Sequence, residues 1–318
     1  MRTGSKREAF FRGLPALAEQ VTGFQEAVVA EEPVMLGAAA DGSTEAWSIP
    51  SEGRCFVSMR VYFPSPRAEI PAAPAAPAVV LLTAEPATEN NQSAFREGLA
   101  RTAKGVATVV VNLCGMGDTG VEDSYGFQGN IFAPERSNNM LAMGLNRSTV
   151  GLHAAEVLAT LRALDAMPAI ARVAAVVARN NTGAALLHAA ALANRSAGAA
   201  LRGALDGLVA VGDITSYADI AASRYYALPT WASIPGVLQH YDLPELLAAH
   251  AASGLRFLAL GPVDASRRAL NETGAARAYA LPRAAFEAKG FAQNLRVEAR
   301  AVEDPAEVGA AVGSWLVS

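Results

Sequence analysis

The chain has 318 residues, 52% of them hydrophobic, with a mean hydropathy of +0.21, enough apolar material for one large domain or two small ones. A net charge of -4 and a pI near 5.7 give no general attraction to nucleic acid or an anionic membrane, and no apolar run reaches the roughly 18 residues a membrane span needs. Two cysteines, Cys55 and Cys114, exclude a disulfide framework and fit a reducing, intracellular setting; with four histidines a zinc site would need carboxylates, so no metal or other cofactor is expected.

Residues 1–50 read as an N-terminal extension. The opening MRTGSKREAFFRGLPAL carries Arg2, Lys6, Arg7 and Arg12 against Glu8, without the apolar stretch of a secretory signal. Two readings stand: an organelle-targeting segment, or a basic surface helix leading into the domain. The Asn-x-Ser/Thr sequons at Asn91, Asn146, Asn180, Asn194 and Asn271 matter only in a secreted protein and read as incidental.

From residue 51 to 318, strand-like apolar runs alternate with helix-period segments, the pattern of a mainly parallel sheet covered on both faces. Strands are predicted at Cys55–Phe63, Ala78–Ala84, Val106–Leu113, Val173–Arg179, Gly207–Val211, Leu255–Gly261 and Asn294–Arg300. Helices are predicted near Ser93–Ala103, Arg147–Met167, Gly183–Ala193, Ala275–Lys289 and Pro305–Leu316. In the second of these, Val150, Ala154, Val157, Leu158, Leu161 and Leu164 share one face, with Ser148 or Asn146 as its N-cap. Pro64–Pro77 reads as a stiff surface loop, and residues 123–146 as a long loop. About 217–250, with Tyr225, Tyr226, Trp231 and Tyr241, reads as a small cap insertion whose aromatics line a cleft, meet a partner or pack beneath the cap.

The segment VAAVVARNNTGAALLHAAALA, 173–193, combines a strand, a tight polar turn and a small-residue helix. This strand–elbow–helix shape carries the nucleophile in α/β-hydrolases, usually as Gly-x-Ser-x-Gly. Sliding that pattern over the turn puts Asn180 at the nucleophile, or Asn181 after a shift of one residue. Neither amide can attack an acyl carbon, because its nitrogen lone pair is delocalised into the carbonyl.

Four further segments stand in matching order: VVLLTAEPATE, VATVVVNLCGMGDTG, SIPGVLQHYDLPEL and RFLALGPVDA. With the elbow, they give residues 50–318 a resemblance to the α/β-hydrolase superfamily, most closely its acetyl xylan esterase-like and prolyl-oligopeptidase-like branch. The resemblance implies an α/β-hydrolase fold, with Asp264 of GPVDA in the place of the acid that orients the catalytic histidine. An aspartate after a strand also simply caps a turn. The place of that histidine, after the last strand, is taken by EDPAEVG. His153 and His188 fall inside predicted helices as packed or surface residues, while His240 and His250 lie in or near the cap. Glu85 sits in the loop that in the family offers amides to the oxyanion; an acid there opposes negative charge, and Pro86 has no N–H.

Gly115, Gly117 and Gly120 spell Gly-x-Gly-x-x-Gly after a strand, but they run into an acidic irregular stretch instead of a phosphate-binding helix, so a hydrolase loop explains them better than a dinucleotide site. Asp118, Glu122 and Asp123 match no cation loop.

The leading expectation is a non-catalytic hydrolase-fold domain, a pseudo-esterase acting as a binding or structural subunit with a protein partner or in a homo-oligomer. The alternative is a carboxylic-ester hydrolase taking a small ester, with Cys114 or Thr182 as a substitute nucleophile and His240 brought in from the cap. A nucleotide-binding oxidoreductase would rest on the glycine run alone.

Overall fold

The structure is a computed structural model that describes residues 4–25, 32–52, 55–67, 75–87, 89–120, 134–193, 205, 207–300 and 302–318. Its strands are β1 (Val34–Ala38), β2 (Thr44–Pro50), β3 (Phe56–Tyr62), β4 (Ala76–Leu82), β5 (Ala107–Asn112), β6 (Ile170–Arg179), β7 (Gly207–Val211), β8 (Arg256–Leu260) and β9 (Leu295–Glu298). They form one sheet in the order β1-β2-β3-β5-β4-β6-β7-β8-β9. Pairing is antiparallel from β1 to β5 and parallel from β5 to β9.

The described helices are α1 (Gly4–Thr22), α2 (Glu89–Thr102), α3 (Pro134–Gly144), α4 (Thr149–Asp165), α5 (Gly183–Ala193), α6 (Tyr217–Ala222), α7 (Leu243–Ala249), α8 (Glu272–Ala278), α9 (Ala280–Ala288) and α10 (Pro305–Val317). The strand pleat distributes side chains to both layers. Along β4, Ala78, Val80 and Leu82 join the core formed with α1, α4, α5, α7 and α9, while Val79 and Leu81 join the core formed with α2 and α10. Central parallel strands buried on both faces read as unbroken apolar runs, which is why β4 to β8 were visible in the sequence.

Within the parallel part of the sheet the building direction reverses once. From β4 the chain steps to β5 on one side, then returns to lay β6 on the other side and continues outward to β9. In parallel sheets the loops at the carboxyl ends of strands on either side of such a switch splay apart and leave a crevice. Here those loops follow β4 and β6, so the Thr83–Glu85 segment and the Asn180 elbow face each other.

Several elements differ from expectation for identifiable reasons. The helix predicted at Ala275–Lys289 is two helices, α8 and α9, broken at Tyr279. Pro282 has no N–H to offer the carbonyl of Ala278, and its ring opposes a continuous helix there. Part of the long loop predicted at 123–146 is the helix α3, which opens on Pro134, a residue suited to a first helical turn. The N-terminal 1–50 segment supplies α1, with Leu14 and Ala18 fully covered, and the strands β1 and β2, of which β2 pairs with β3 along its whole length. α4 starts after Ser148, whose Oγ accepts from the Gly151 amide at 3.0 Å, and its six predicted core residues are all buried. No described helix is long and apolar enough to cross a membrane.

Candidate functional site

The elbow is the three-residue turn Asn180–Thr182 between β6 and α5. Asn180 and Asn181 both adopt left-handed backbone, with φ of 59° and 70°. Asparagine tolerates this region far better than other side chains with a Cβ, so the Asn-Asn pair suits the turn on backbone grounds alone. Thr182, fully buried, closes the turn: its Oγ1 accepts from the Arg179 amide at 3.1 Å and donates to the Arg179 carbonyl at 2.9 Å. The hydroxyl proposed as a substitute nucleophile is thereby committed to the backbone.

Asn180 is held from the facing loop. Thr83 Oγ1 donates to its Oδ1 at 3.1 Å, and its Nδ2 donates to Glu85 Oε1 at 3.4 Å. The Glu85 amide donates to Thr83 Oγ1 at 3.1 Å. In the hydrolase arrangement an amide of this loop points at the developing oxyanion; here it is turned onto a neighbouring hydroxyl, and Pro86 has none to give. Arg179 Nη1 lies 3.9 Å from Glu85 Oε2, close enough for charge attraction but too long for a hydrogen bond.

Asn112, wholly buried at the end of β5, fixes this loop from below. Its Nδ2 donates to the carbonyls of Thr83 at 2.7 Å and Glu85 at 2.8 Å, and its Oδ1 accepts from the Asp118 amide at 3.1 Å. Gly117 has φ of 48°, and a Cβ on it would stand 2.4 Å from Asn112 Nδ2, so the glycine makes room for this asparagine. That accounts for one member of the glycine run, which leads into a single 3-10 turn, Gly117–Thr119. Asp118 accepts from the Ala87 amide at 3.2 Å and lies 4.0 Å from Arg60; Glu122 and Asp123 fall outside the described residues.

Asp264 closes its own loop after β8. It accepts from the amides of Ser266 (2.8 Å) and Arg268 (3.0 Å), and pairs with the Arg268 guanidinium at 2.9 Å. Partial burial pushes its carboxyl up, but the hydrogen bonds from Arg268 and Ser266 outweigh this and hold it below the usual carboxylate range. The loop it ties presents Arg267, whose Nη1 donates to Asn181 Oδ1.

None of the four histidines hydrogen-bonds to the elbow. His153 Nε2 shares a hydrogen bond with the Cys114 carbonyl at 3.0 Å, and His188 is bound between the Ala184 carbonyl (2.7 Å) and the Tyr241 hydroxyl (3.0 Å). His250 is buried with Nε2 unpartnered. Burial lowers all three imidazoles to about 4, so they are neutral at pH 7. His240 is exposed at the end of a 3-10 turn, Val237–Gln239. Burial also pushes the Cys114 thiol up, with the Cys55 thiol and Glu156 acting in the same direction, so thiolate is disfavoured. Of the cap aromatics, Trp231 and Tyr241 are buried, and Tyr225 and Tyr226 are exposed.

One titratable residue at the crevice escaped the sequence reading. Asp213, after β7, is 5% exposed and has neither oxygen hydrogen-bonded. It faces the start of α5, where a Cβ on Gly183 would stand 2.6 Å from Oδ2. Burial raises its carboxyl to about 7, while the charge of Arg267 and the Gly183 amide pull it back. An aspartate after a short apolar strand is the only signal it left, and Arg179 and Arg267 left none. Among the described residues, no group of three or more His, Cys, Asp or Glu side chains could hold a metal ion.

No family model matches the sequence, and no curated protein matches it. Solved structures do match the fold. A Bacteroides fragilis protein described as an acetyl xylan esterase superposes with a TM-score of 0.69 at 14% identity, covering 93% of this chain and 76% of that one. A methylesterase superposes with a TM-score of 0.60 at 14% identity, covering 94% of this chain and 60% of that one, so the present chain spans less than two thirds of its length. With the sheet order and the elbow, these define the architecture: the chain has the α/β-hydrolase fold. Within that fold it is similar to esterases of the acetyl xylan type.

Proposed function

We propose that this is a hydrolase-fold protein whose elbow binds instead of transferring acyl groups, and that it works as a binding or structural subunit. The observation that carries this reading is Asn180. A residue without a nucleophilic atom occupies the elbow, its amide is held by Thr83 and Glu85, and the neighbouring Glu85 amide is spent on Thr83. Nucleophile, base and acid act as a unit, so a site without the first two gains little from an acid in the place of the third.

A second reading, carboxylic-ester hydrolysis at a rewired site, is favoured by the likeness to a solved acetyl xylan esterase-type structure. It would need a nucleophile other than Asn180 and a base within hydrogen-bond reach of it. The deciding experiment is hydrolysis of a short-chain aryl acetate, with labelling by a serine-directed fluorophosphonate, for the purified protein, Asn180→Ser and Cys114→Ala. The binding reading expects no turnover and no label in the wild type, and none in Asn180→Ser, because a serine without a base stays poorly nucleophilic. Wild-type turnover that Cys114→Ala abolishes would replace it with the ester-hydrolase reading.

A further inference from the structure

The basic start of the chain takes no part in the elbow, yet the fold gives it a definite place. Arg7 and Phe11, and Glu8 and Arg12, are one helical turn apart and share a face of α1, while Leu14 and Ala18 further along anchor the helix in the core. All four line a groove of about 660 Å³. Its other walls are the end of α7 with the 3-10 turn His250–Ala252, and the second half of α9. Apart from Lys289, every lining residue on those walls is alanine, Ala249, Ala284 and Ala285 among them, so the floor is apolar and no bulky side chain fills it. Size and lining are those of a small-molecule site, about 300–1,000 Å³ with a few charges on an apolar surface.

Those charges are unbalanced. Three cations, Arg7, Arg12 and Lys289, line the groove against one acid, Glu8, which Lys289 holds at 3.0 Å in an ion pair between α1 and the end of α9. Arg7 lies over the Phe11 ring, 5.8 Å from its centroid, and among the described residues neither Arg7 nor Arg12 makes a salt bridge. On a chain of net charge -4 this leaves a local excess of two guanidinium groups beside an apolar floor.

We infer that the groove binds the soluble anion of a medium-length aliphatic carboxylic acid, with the alkyl chain on the alanine floor and the carboxylate paired with Arg7 and Arg12. Guanidinium groups match a carboxylate with paired donors, and Arg7 stands in the first turn of α1, where the unpaired amides of the helix start add positive potential. An alkyl chain with a cationic head would meet like charge instead. The site is separate from the crevice at the elbow: no residue of the Thr83–Glu85 loop, the Asn180 turn or the Asp264 loop lines it.

The test is isothermal titration calorimetry of the full chain with decanoate at pH 8, below its micelle-forming concentration. One site is expected, filled about tenfold more weakly by octanoate, since each buried methylene is worth up to about fourfold. The double variant Arg7→Ala, Arg12→Ala changes two exposed side chains, so its unfolding midpoint should match wild type while decanoate binds about tenfold more weakly and with less dependence on salt. Ala284→Trp, at an exposed position of α9, should abolish binding by filling the groove. Wild-type protein that does not bind decanoate, a double arginine variant that binds it equally, or equal affinity for decyltrimethylammonium overturns the inference. So does association with anionic phospholipid vesicles without any binding of decanoate, which would make the two arginines a membrane contact.

Discussion

The two faces of the sheet are built from different materials. On one, α2 and α10 close on each other through small residues: a Cβ on Gly309 would stand 2.1 Å from the Phe95 carbonyl oxygen, and one on Gly313 2.1 Å from Thr102 Oγ1. Phe95, Leu99, Val308, Val312 and Trp315 fill the space to the sheet. The other face, under α1, α4, α5 and α7, encloses His153, Glu156, His188 and His250, all buried. One face is a packing device; the other accepts the cost of desolvating polar groups and sits beneath the elbow. The elbow side is where the fold buries three histidines and Glu156, whereas the buried polar side chain on α2 is the neutral Gln92.

The sharpest way to break the contrast is to overfill the tight face. Gly309→Ala puts a methyl into the Phe95 carbonyl, which can retreat only by separating α2 from α10, and overpacking of this kind costs about 3 kcal/mol. The urea midpoint should fall well below wild type with an unchanged slope. An unmoved midpoint would mean that the two helices are not held in tight contact.

The elbow side should respond to pH where the tight face does not. Asp213 has its folded-state value raised to about 7 from 3.8, so the folded protein binds a proton that the unfolded chain releases between these values. Its contribution is fully present below about pH 4 and is lost as pH rises through about 7. Asp213→Asn, which keeps the shape of the protonated acid, removes that loss. Relative to wild type the variant should be more stable at pH 8 than at pH 5, by about 2 kcal/mol. Equal effects at both pH values would show that the carboxylate is solvated in the folded protein.

How much of this was legible in the sequence follows the same division. The central strands and α4 announced themselves, because burial on both faces or on one helical stripe leaves a periodic apolar signature. β1 did not: Val34, Met35 and Leu36 are all more than half exposed at the sheet edge, where no pattern of burial constrains them. β2 alternates weakly, with one buried residue among seven. At the site, Asn180 and Asp264 were visible because a motif gave them positions. Thr83, Asn112, Arg179, Asp213 and Arg267 were not, since their roles are hydrogen bonds and charges between loops separated by up to 97 residues. Local sequence carries no record of such contacts.

Asn180 itself separates backbone from side chain. Asn180→Ala loses both amide hydrogen bonds and forces a Cβ residue less tolerant of left-handed backbone into φ of 59°, for about 1–2 kcal/mol. Asn180→Gly loses the same hydrogen bonds but relieves the backbone, and should recover part of that loss in thermal unfolding. Equal costs would assign the asparagine to its contacts, equal to the hydrogen bonds alone; a fully neutral glycine would assign it to the turn.

The smallest effect belongs to the loop after β8, and it bears on what Asp264 is for. Arg268 is 80% exposed on its side chain, so its ion pair with Asp264 is screened, and Arg268→Ala should change stability by less than about 0.5 kcal/mol. Asp264→Ala removes the acceptor for two backbone amides as well and should cost about 1 kcal/mol. An acid kept to orient a catalytic histidine would be spared such local duties or would share them with an imidazole; this one is spent on its own loop, which carries Arg267 to Asn181. If Arg268→Ala proved as costly as Asp264→Ala, the ion pair and not the turn would be the loop's support, and the contact of Arg267 with the elbow would then depend on salt concentration.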